Sequence, residues 1–287
     1  MTLENKSYFI KMYAENDLQK DGVKMAVTIE KSDEIWTIVL HRPEVRNAVD
    51  QPTRELLQNA FDEFENNATA RVAVLWGKGG NFCSGADLKA MSDPNRRKII
   101  AADGKGPGPM GPTRMQNSKP VIAAVSGYAV AGGLELALWC DLRVAEDNAV
   151  FGVYCRRWGV PLIDGGTVRL PRIIGHSRAM DMILTGRPVN ADEALTFGLV
   201  NRVVEIGKSR SEAERLSREI ATFPQECMKA DRKSAVNQWS LSLDAALEME
   251  GRAAHSILER EAFSGAQRFA SGRGRGGRFD DHTGKAD

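Results

Sequence analysis

The sequence predicts an α/β fold built around a mostly parallel sheet. Three observations carry that reading. Short apolar runs at Ile35–Leu40, Val72–Trp76 and Val121–Val125 are bounded by turn residues. Segments with helical apolar spacing lie between such runs. The stretch nearest in character to a membrane span, Val121–Trp139, is interrupted by Gly127, Gly132 and Gly133 and carries Glu135. A charge at membrane depth is costly, so it reads as a buried strand followed by a buried helix.

Taken in order, Met25–Glu30 and Ile35–Leu40 form a hairpin joined by Lys31–Glu34. Thr53–Asn66 is helical: Leu56, Leu57, Ala60, Phe61 and Phe64 share a face, and Asp50 and Pro52 are start signals. Val72–Trp76 is a core strand, followed by the Gly-rich turn GKGGNFCSGADL. Residues 101–113, rich in Gly and Pro, are expected to be a mobile loop. Val121–Val125 is a second core strand, GGLELALWC a helix, and Val144–Ala145 and Val150–Phe151 short strands. From Gly166 the pattern is mainly helical, around Ser177–Leu184, Ala191–Phe197, Ser211–Thr222 and Leu243–Phe263.

The 287 residues hold 39 Lys+Arg against 38 Asp+Glu, a net charge of +1. That balance argues against a protein whose main task is wrapping polyanions. Four cysteines (83, 140, 155, 227) have no disulfide or zinc spacing, which fits a reduced, cytoplasmic compartment. The opening residues carry no secretory signal. Four histidines (41, 176, 255, 282) lack ligand spacing, so no metal is expected. Two G-x-G-x-x-G matches, at Gly106 and Gly272, do not join a strand to a helix and are chance.

Two segments carry candidate chemistry. Gly79–Leu88 follows the strand ending at Trp76; Lys119–Leu136 contains a strand, then Gly132-Gly133, then Glu135. Each places small residues where a strand gives way to a helix, so backbone N–H groups can approach a ligand. Two such sites face to face would make an oxyanion hole. A carboxylate in the first turn of the adjoining helix is a candidate acid/base, or else a helix-start residue favouring the dipole.

These segments resemble the signature of the crotonase (enoyl-CoA hydratase/isomerase) superfamily. The resemblance runs from about residue 25 to 270. It includes HRPEVRNAVD (41–50), CDLRVAEDNAVFG (140–152), GGTVRLPRIIG (165–175) and LTGRPVNADEALTFGLVNRVV (184–204). It implies a crotonase-like ββα-repeat spiral core at 23–205 and a C-terminal helical trimerisation region at 206–271. An N-terminal extension (1–22) and a flexible basic tail (272–287) would flank them. It further implies an acyl-CoA enzyme that stabilises a thioester enolate, in the first place an enoyl-CoA hydratase. Coenzyme A would enter as part of the substrate, with no further cofactor. The amides of Ala86 and Gly132 would hold the thioester oxygen, and Glu135 would activate water. Arg46, Ser84, Gly85, Asp87, Leu88, Tyr128, Gly133, Cys155 and Leu162 would line the substrate site. The implied partners are an acyl-CoA thioester and further copies of the chain, as a homotrimer or dimer of trimers. Neither nucleic acid nor membrane is expected.

One departure stands out. The second hydratase glutamate falls at Cys155, and a thiol with a pKa of about 8.5 is a poor proton donor in place of a carboxylic acid. Asp164, before Gly165-Gly166, is the nearest replacement, or else a helix N-cap. Double-bond isomerase, decarboxylase and thioester hydrolase are therefore alternatives. A homologue that binds RNA through Gly272–Arg278, or a non-catalytic one, would be a different class. Asp87 reads as a cap or turn residue and Arg46 as a phosphate contact or a solvated side chain. Arg156 and Arg157 read as surface or interface ion pairs, or as contacts for an anionic acyl group. Trp158, Leu162 and Met91 read as core or pocket wall.

Overall fold

The computed structural model describes residues 25–273. The extension at 1–22 and all but the first two residues of the basic tail lie outside them. Strands β1 (Val27–Ser32) and β2 (Ile35–Leu40) pair antiparallel. The turn between them is shorter than expected. β1 runs through Ser32, and Asp33 takes φ 52°, a left-handed conformation that aspartate tolerates in tight turns.

Helix α1 (Gln51–Asn66) begins where Asp50 accepts hydrogen bonds from the Thr53 amide (3.1 Å) and hydroxyl (2.6 Å). Next come β3 (Val72–Gly77), β4 (Val121–Val125), β5 (Tyr128–Val130), α2 (Gly132–Trp139), β6 (Leu142–Glu146) and β7 (Val150–Gly152). Helices α3 (Gly166–Ile174) and α4 (His176–Thr185), strand β8 (Val189–Asn190), helix α5 (Ala191–Phe197) and strand β9 (Arg202–Val204) lead to α6 (Ser209–Thr222). Three further helices follow: α7 (Gln225–Asn237), α8 (Leu243–Ile257) and α9 (Phe263–Ala270).

The main sheet has the order β1-β2-β3-β4-β6-β9 and is parallel from β2 onward. A small sheet, β5-β7-β8, stands beside it. Both faces of the main sheet are covered, which is why its strands read as unbroken apolar runs. Ala73, Leu75 and Val125 face Phe61, Phe64, Leu134 and Leu136; Val72, Val74, Ile122 and Val144 face Ala213, Leu216 and Ala221 of α6. At the far end of α2 the buried Arg143 guanidinium donates to the carbonyls of Cys140 (2.7 Å), Ala137 (3.3 Å) and Leu199 (2.6 Å). A cation there complements the helix dipole and fixes α2 in the core.

The sequence placed a helical region from Gly166 but did not delimit helix α3, because Pro171 sits inside it and glycines open it. Nor did it delimit helix α7, because none of that helix's residues is buried, so it has no apolar face to detect. The long helix expected at Leu243–Phe263 is interrupted by a π-helical turn at Leu258–Ala262. Residues 101–107 are exposed, but 108–113 are buried, so the second half of the expected mobile loop is packed. Among the described residues no helix is long and apolar enough to cross a membrane.

Candidate active site

The two Gly-rich segments meet. Cys83 N donates to Tyr128 O at 2.9 Å and Val130 N donates to Cys83 O at 3.1 Å, zipping the first segment onto β5. A Cβ on Gly133 would stand 2.0 Å from Cys83 O, and one on Gly85 would stand 2.9 Å from the Gly132 nitrogen. Only bare Cα atoms permit this approach. Val49 N donates to Gly85 O (2.8 Å) and Asp87 N donates to Val49 O (3.0 Å), so the bridge skips Ala86. Its amide, like that of Gly132 at the start of α2, has no hydrogen-bond partner among the described residues. Ala131, just before Gly132, holds φ 53° and ψ −125°, a strained turn for an L residue.

Glu135 is buried in the first turn of α2. Its Oε1 accepts from the amides of Asp164 and Gly166, both at 2.8 Å, so the carboxylate sits against the N-terminus of α3. A Cβ on Gly166 would come within 2.9 Å of that oxygen. Burial, then the charge of Asp164, raise the Glu135 pKa from 4.5 to about 7; the two amides pull the other way without prevailing.

Asp164 does not cap α3; Gly165 occupies that position and no side chain caps the helix. The Asp164 side chain is turned the other way. Its Oδ1 accepts from Met110 N at 2.9 Å and from the Thr113 hydroxyl in a short bond. Each carboxylate is thus held through one oxygen. Among the described residues Glu135 Oε2 and Asp164 Oδ2 have no hydrogen-bond partner. Arg169 braces the arrangement, donating to Asp164 O (2.9 Å) and Thr113 O (2.7 Å).

Cys155 lies buried in the turn after β7. Burial, then the charge of Glu135, raise its pKa, so it presents a neutral thiol. Leu162 stands by Gly166 and Glu135. Tyr128 is half-buried, with the Arg46 guanidinium 5.3 Å from its ring centre. The Ser84 hydroxyl donates to Val45 O at 3.2 Å.

Several expected placements change. Asp87 is buried and its carboxylate pairs with Arg42 (3.1 Å) and Arg96 (2.7 Å), both of which also reach Asp50. It stands at the N-cap position of the 3-10 turn Leu88–Ser92, as the cap or turn reading expects, but its side chain makes no capping bond and locks the loops together instead. Leu88, Met91 and Trp158 are exposed, so neither Met91 nor Trp158 is core. Arg157 stacks on Tyr154 and Arg156 donates to Ile183 O at 3.0 Å; neither forms an ion pair among the described residues. Met110, Thr113, Arg169 and Lys98 belong to the site although the sequence did not single them out. A motif scan has no handle on Lys98 or Met110, which sit in irregular chain. Arg169 lay inside the recognised GGTVRLPRIIG run.

The family model described as enoyl-CoA hydratase/isomerase matches residues 30–275. The (E)-benzylidenesuccinyl-CoA hydratase of Thauera aromatica is 36% identical over 253 residues, 88% of this chain and 94% of that protein. The mevalonyl-coenzyme A hydratase sidH of Aspergillus fumigatus is 40% identical over 171 residues, 60% of this chain; the match spans 63% of that relative's length. Among solved structures, an enoyl-CoA hydratase from Mycobacterium tuberculosis superposes with a TM-score of 0.80 at 34% identity, covering 86% of this chain and 96% of that one. The family model, the relatives and the superposition agree on the crotonase fold, and the chain belongs to the enoyl-CoA hydratase/isomerase family.

Proposed function

We propose that this protein is an enoyl-CoA hydratase, adding water across the double bond of a 2-enoyl-CoA thioester. The observation that carries the proposal is the pair of carboxylates, Glu135 and Asp164, each anchored by one oxygen and free at the other, beside two unpartnered amides. In this reading Ala86 and Gly132 donate to the thioester oxygen and stabilise the enolate. Glu135, with a pKa near 7, takes a proton from water as the hydroxyl oxygen bonds to Cβ. The electron pair of the double bond moves onto the thioester oxygen. When it returns, Cα takes a proton from the Glu135 carboxyl, and Asp164 Oδ2 orients the water. Arg46 and the Ser84–Gly85 backbone flank the coenzyme A portion; Tyr128, Gly133, Cys155 and Leu162 line the acyl portion. No cofactor or metal enters these steps.

The same parts would serve a double-bond isomerase, in which Glu135 moves one proton between carbons and no water is needed. The Cys155 thiol, standing where a second acid would be, favours keeping that second reading. Crotonyl-CoA and a 3-enoyl-CoA separate the two: loss of conjugated enoyl absorbance with the first supports hydration, and turnover of the second alone overturns it. Asp164→Asn keeps an Oδ1 acceptor for Met110 and Thr113 while removing the charge. It should cut kcat by about tenfold or more with the fold retained; wild-type turnover would remove Asp164 from the mechanism.

Exposed Trp239, Leu243, Leu247 and Phe263 on the C-terminal helices support self-association, proposed as a homotrimer or dimer of trimers. Sedimentation velocity measures it. Four free cysteines support a reduced, cytoplasmic setting. An RNA-binding role would rest on residues 272–278, mostly outside the described chain, and no observation favours it.

A further inference from the structure

Lys98 is a cation at the site that the proposed chemistry does not use. It lies in irregular chain, yet its neighbours are fixed on both sides. Gln51 N donates to Arg96 O at 3.0 Å, and Ile99 N donates to Gln51 Oε1 at 3.2 Å. Arg96 is itself ion-paired to Asp50 (3.0 Å) and Asp87 (2.7 Å). From this bracket the Lys98 ammonium reaches in to Met110 Sδ at 3.1 Å. That sulfur lies 2.7 Å from where a Cβ on Gly132 would be.

A thioether is a weak acceptor for an ammonium. No carboxylate of the described residues forms an ion pair with Lys98; Asp164, Cys83 and Asp50 act on it only through space. The residue keeps part of its surface in solvent, but burial of its amine end lowers the pKa to about 8. A cation withdrawn from water without an anionic partner carries a desolvation cost. A ligand anion placed there removes that cost. Its position beside Gly132 and Asp164 is the reacting end of the site. An anion there belongs to the acyl group, because the phosphates of coenzyme A sit at the opposite end of the thioester.

We infer that Lys98 is a specificity-determining residue that pairs with a second carboxylate on the acyl group, so that the preferred substrates are coenzyme A thioesters of unsaturated dicarboxylic acids. The inference rests on the thioester reading above. The test uses the full-length protein with crotonyl-CoA and its carboxylated counterpart glutaconyl-CoA, and the saturated pair butyryl-CoA and glutaryl-CoA for calorimetric binding. Wild type should favour the carboxylated member of each pair. Lys98→Met should lower the glutaconyl-to-crotonyl ratio of kcat/KM by roughly tenfold to a hundredfold, as expected for a hydrogen bond to a charged group. Lys98→Arg should retain most of the preference. A ratio unchanged in Lys98→Met, or a wild type that prefers crotonyl-CoA, overturns the inference and leaves the hydratase reading standing. Tighter glutaryl-CoA binding that Lys98→Met abolishes, without turnover of either enoyl thioester, supports Lys98 and overturns the hydratase chemistry. Binding of neither saturated thioester overturns both.

Discussion

Replacing Glu135 by glutamine should strip the protein of turnover and make it more stable at pH 8. The carboxyl is buried, and burial with the neighbouring Asp164 charge lifts its pKa from 4.5 to about 7. A raised folded-state pKa means that the folded protein holds the proton more tightly than the unfolded chain. Stability from this group is therefore fully present below pH 4.5 and is lost as pH rises through 7. Once both states are ionised, the loss is about 3 kcal/mol. Glutamine has the same shape. Its carbonyl can accept from the Asp164 and Gly166 amides, and its NH₂ then stands where Oε2 was, adding no charge. The expected gain at pH 8 is thus up to about 3 kcal/mol, reduced because amide-to-carboxylate hydrogen bonds are stronger than amide-to-carbonyl ones. At pH 5 the gap should shrink to below about 1 kcal/mol, because the wild-type carboxyl is then largely neutral in the folded state. Urea unfolding of both proteins at pH 5 and pH 8, at one protein concentration, measures it. A variant less stable than wild type at pH 8, or a gap that does not change with pH, would refute the reasoning.

The remaining predictions concern packing, thiols and the working pH. Gly133→Ala puts a Cβ 2.0 Å from Cys83 O, a backbone atom pinned to β5, so α2 must shift; the expected cost is about 2 kcal/mol or more by urea unfolding, seen as a lowered midpoint, with near-complete loss of turnover, and a wild-type midpoint would contradict it. Burial raises Cys83 to about 11 and raises Cys140 and Cys155; Cys227 is raised too, by desolvation and then by Asp231 and Glu261, but it is the one exposed thiol among the described residues. A thiol reagent at pH 8 should therefore modify one cysteine per chain quickly; fast reaction of two or more would show the turn at Cys155 to be open. With Glu135 as the base, kcat/KM should rise through an apparent pKa of about 7 in wild type, and a flat profile between pH 5.5 and 8 would assign the proton transfer elsewhere.

The sequence made the centre of the molecule legible and left its margins obscure, for physical reasons. The runs at Val72–Trp76 and Val121–Val125 are buried on both faces, so hydrophobicity alone marks them. The cap at Asp50 placed the start of α1 within two residues. The meeting of the segments Gly79–Leu88 and Lys119–Leu136 was readable because close backbone approach demands glycines at strand ends, whereas the choice of Ala86, Gly132 and Glu135 within them came from the family resemblance. The bounds of helix α3 were not readable, because Pro171 sits inside it and its first turn is held by Glu135, an acid 31 residues upstream of Gly166 N. Lys98 was not readable for a similar reason. Its neighbours are held by Gln51 and by Arg96 through Asp50 and Asp87, contacts that connect three segments: the start of α1, the loop at Asp87 and the irregular stretch at Arg96–Ile99.

The thiol at Cys155 and the acid at Asp164 are best understood together. Glu135 already shares its surroundings with one carboxylate, and that neighbour contributes to holding its pKa near 7. A third acid at position 155, in a turn where the thiol already feels the Glu135 charge, would add a second like charge in a buried space. Either Glu135 would stay protonated well above neutrality, losing its capacity as a base, or the fold would bear a further desolvation cost at working pH. An acid at the start of α3 avoids that conflict. There Met110 N and the Thr113 hydroxyl hold one oxygen of Asp164, while Arg169 ties its carbonyl in place. In the proposed mechanism the second acid has moved from the wall after β7 to the loop before α3, with the number of buried carboxylates kept at two. A neutral residue at 155 is then what allows Glu135 to titrate near pH 7.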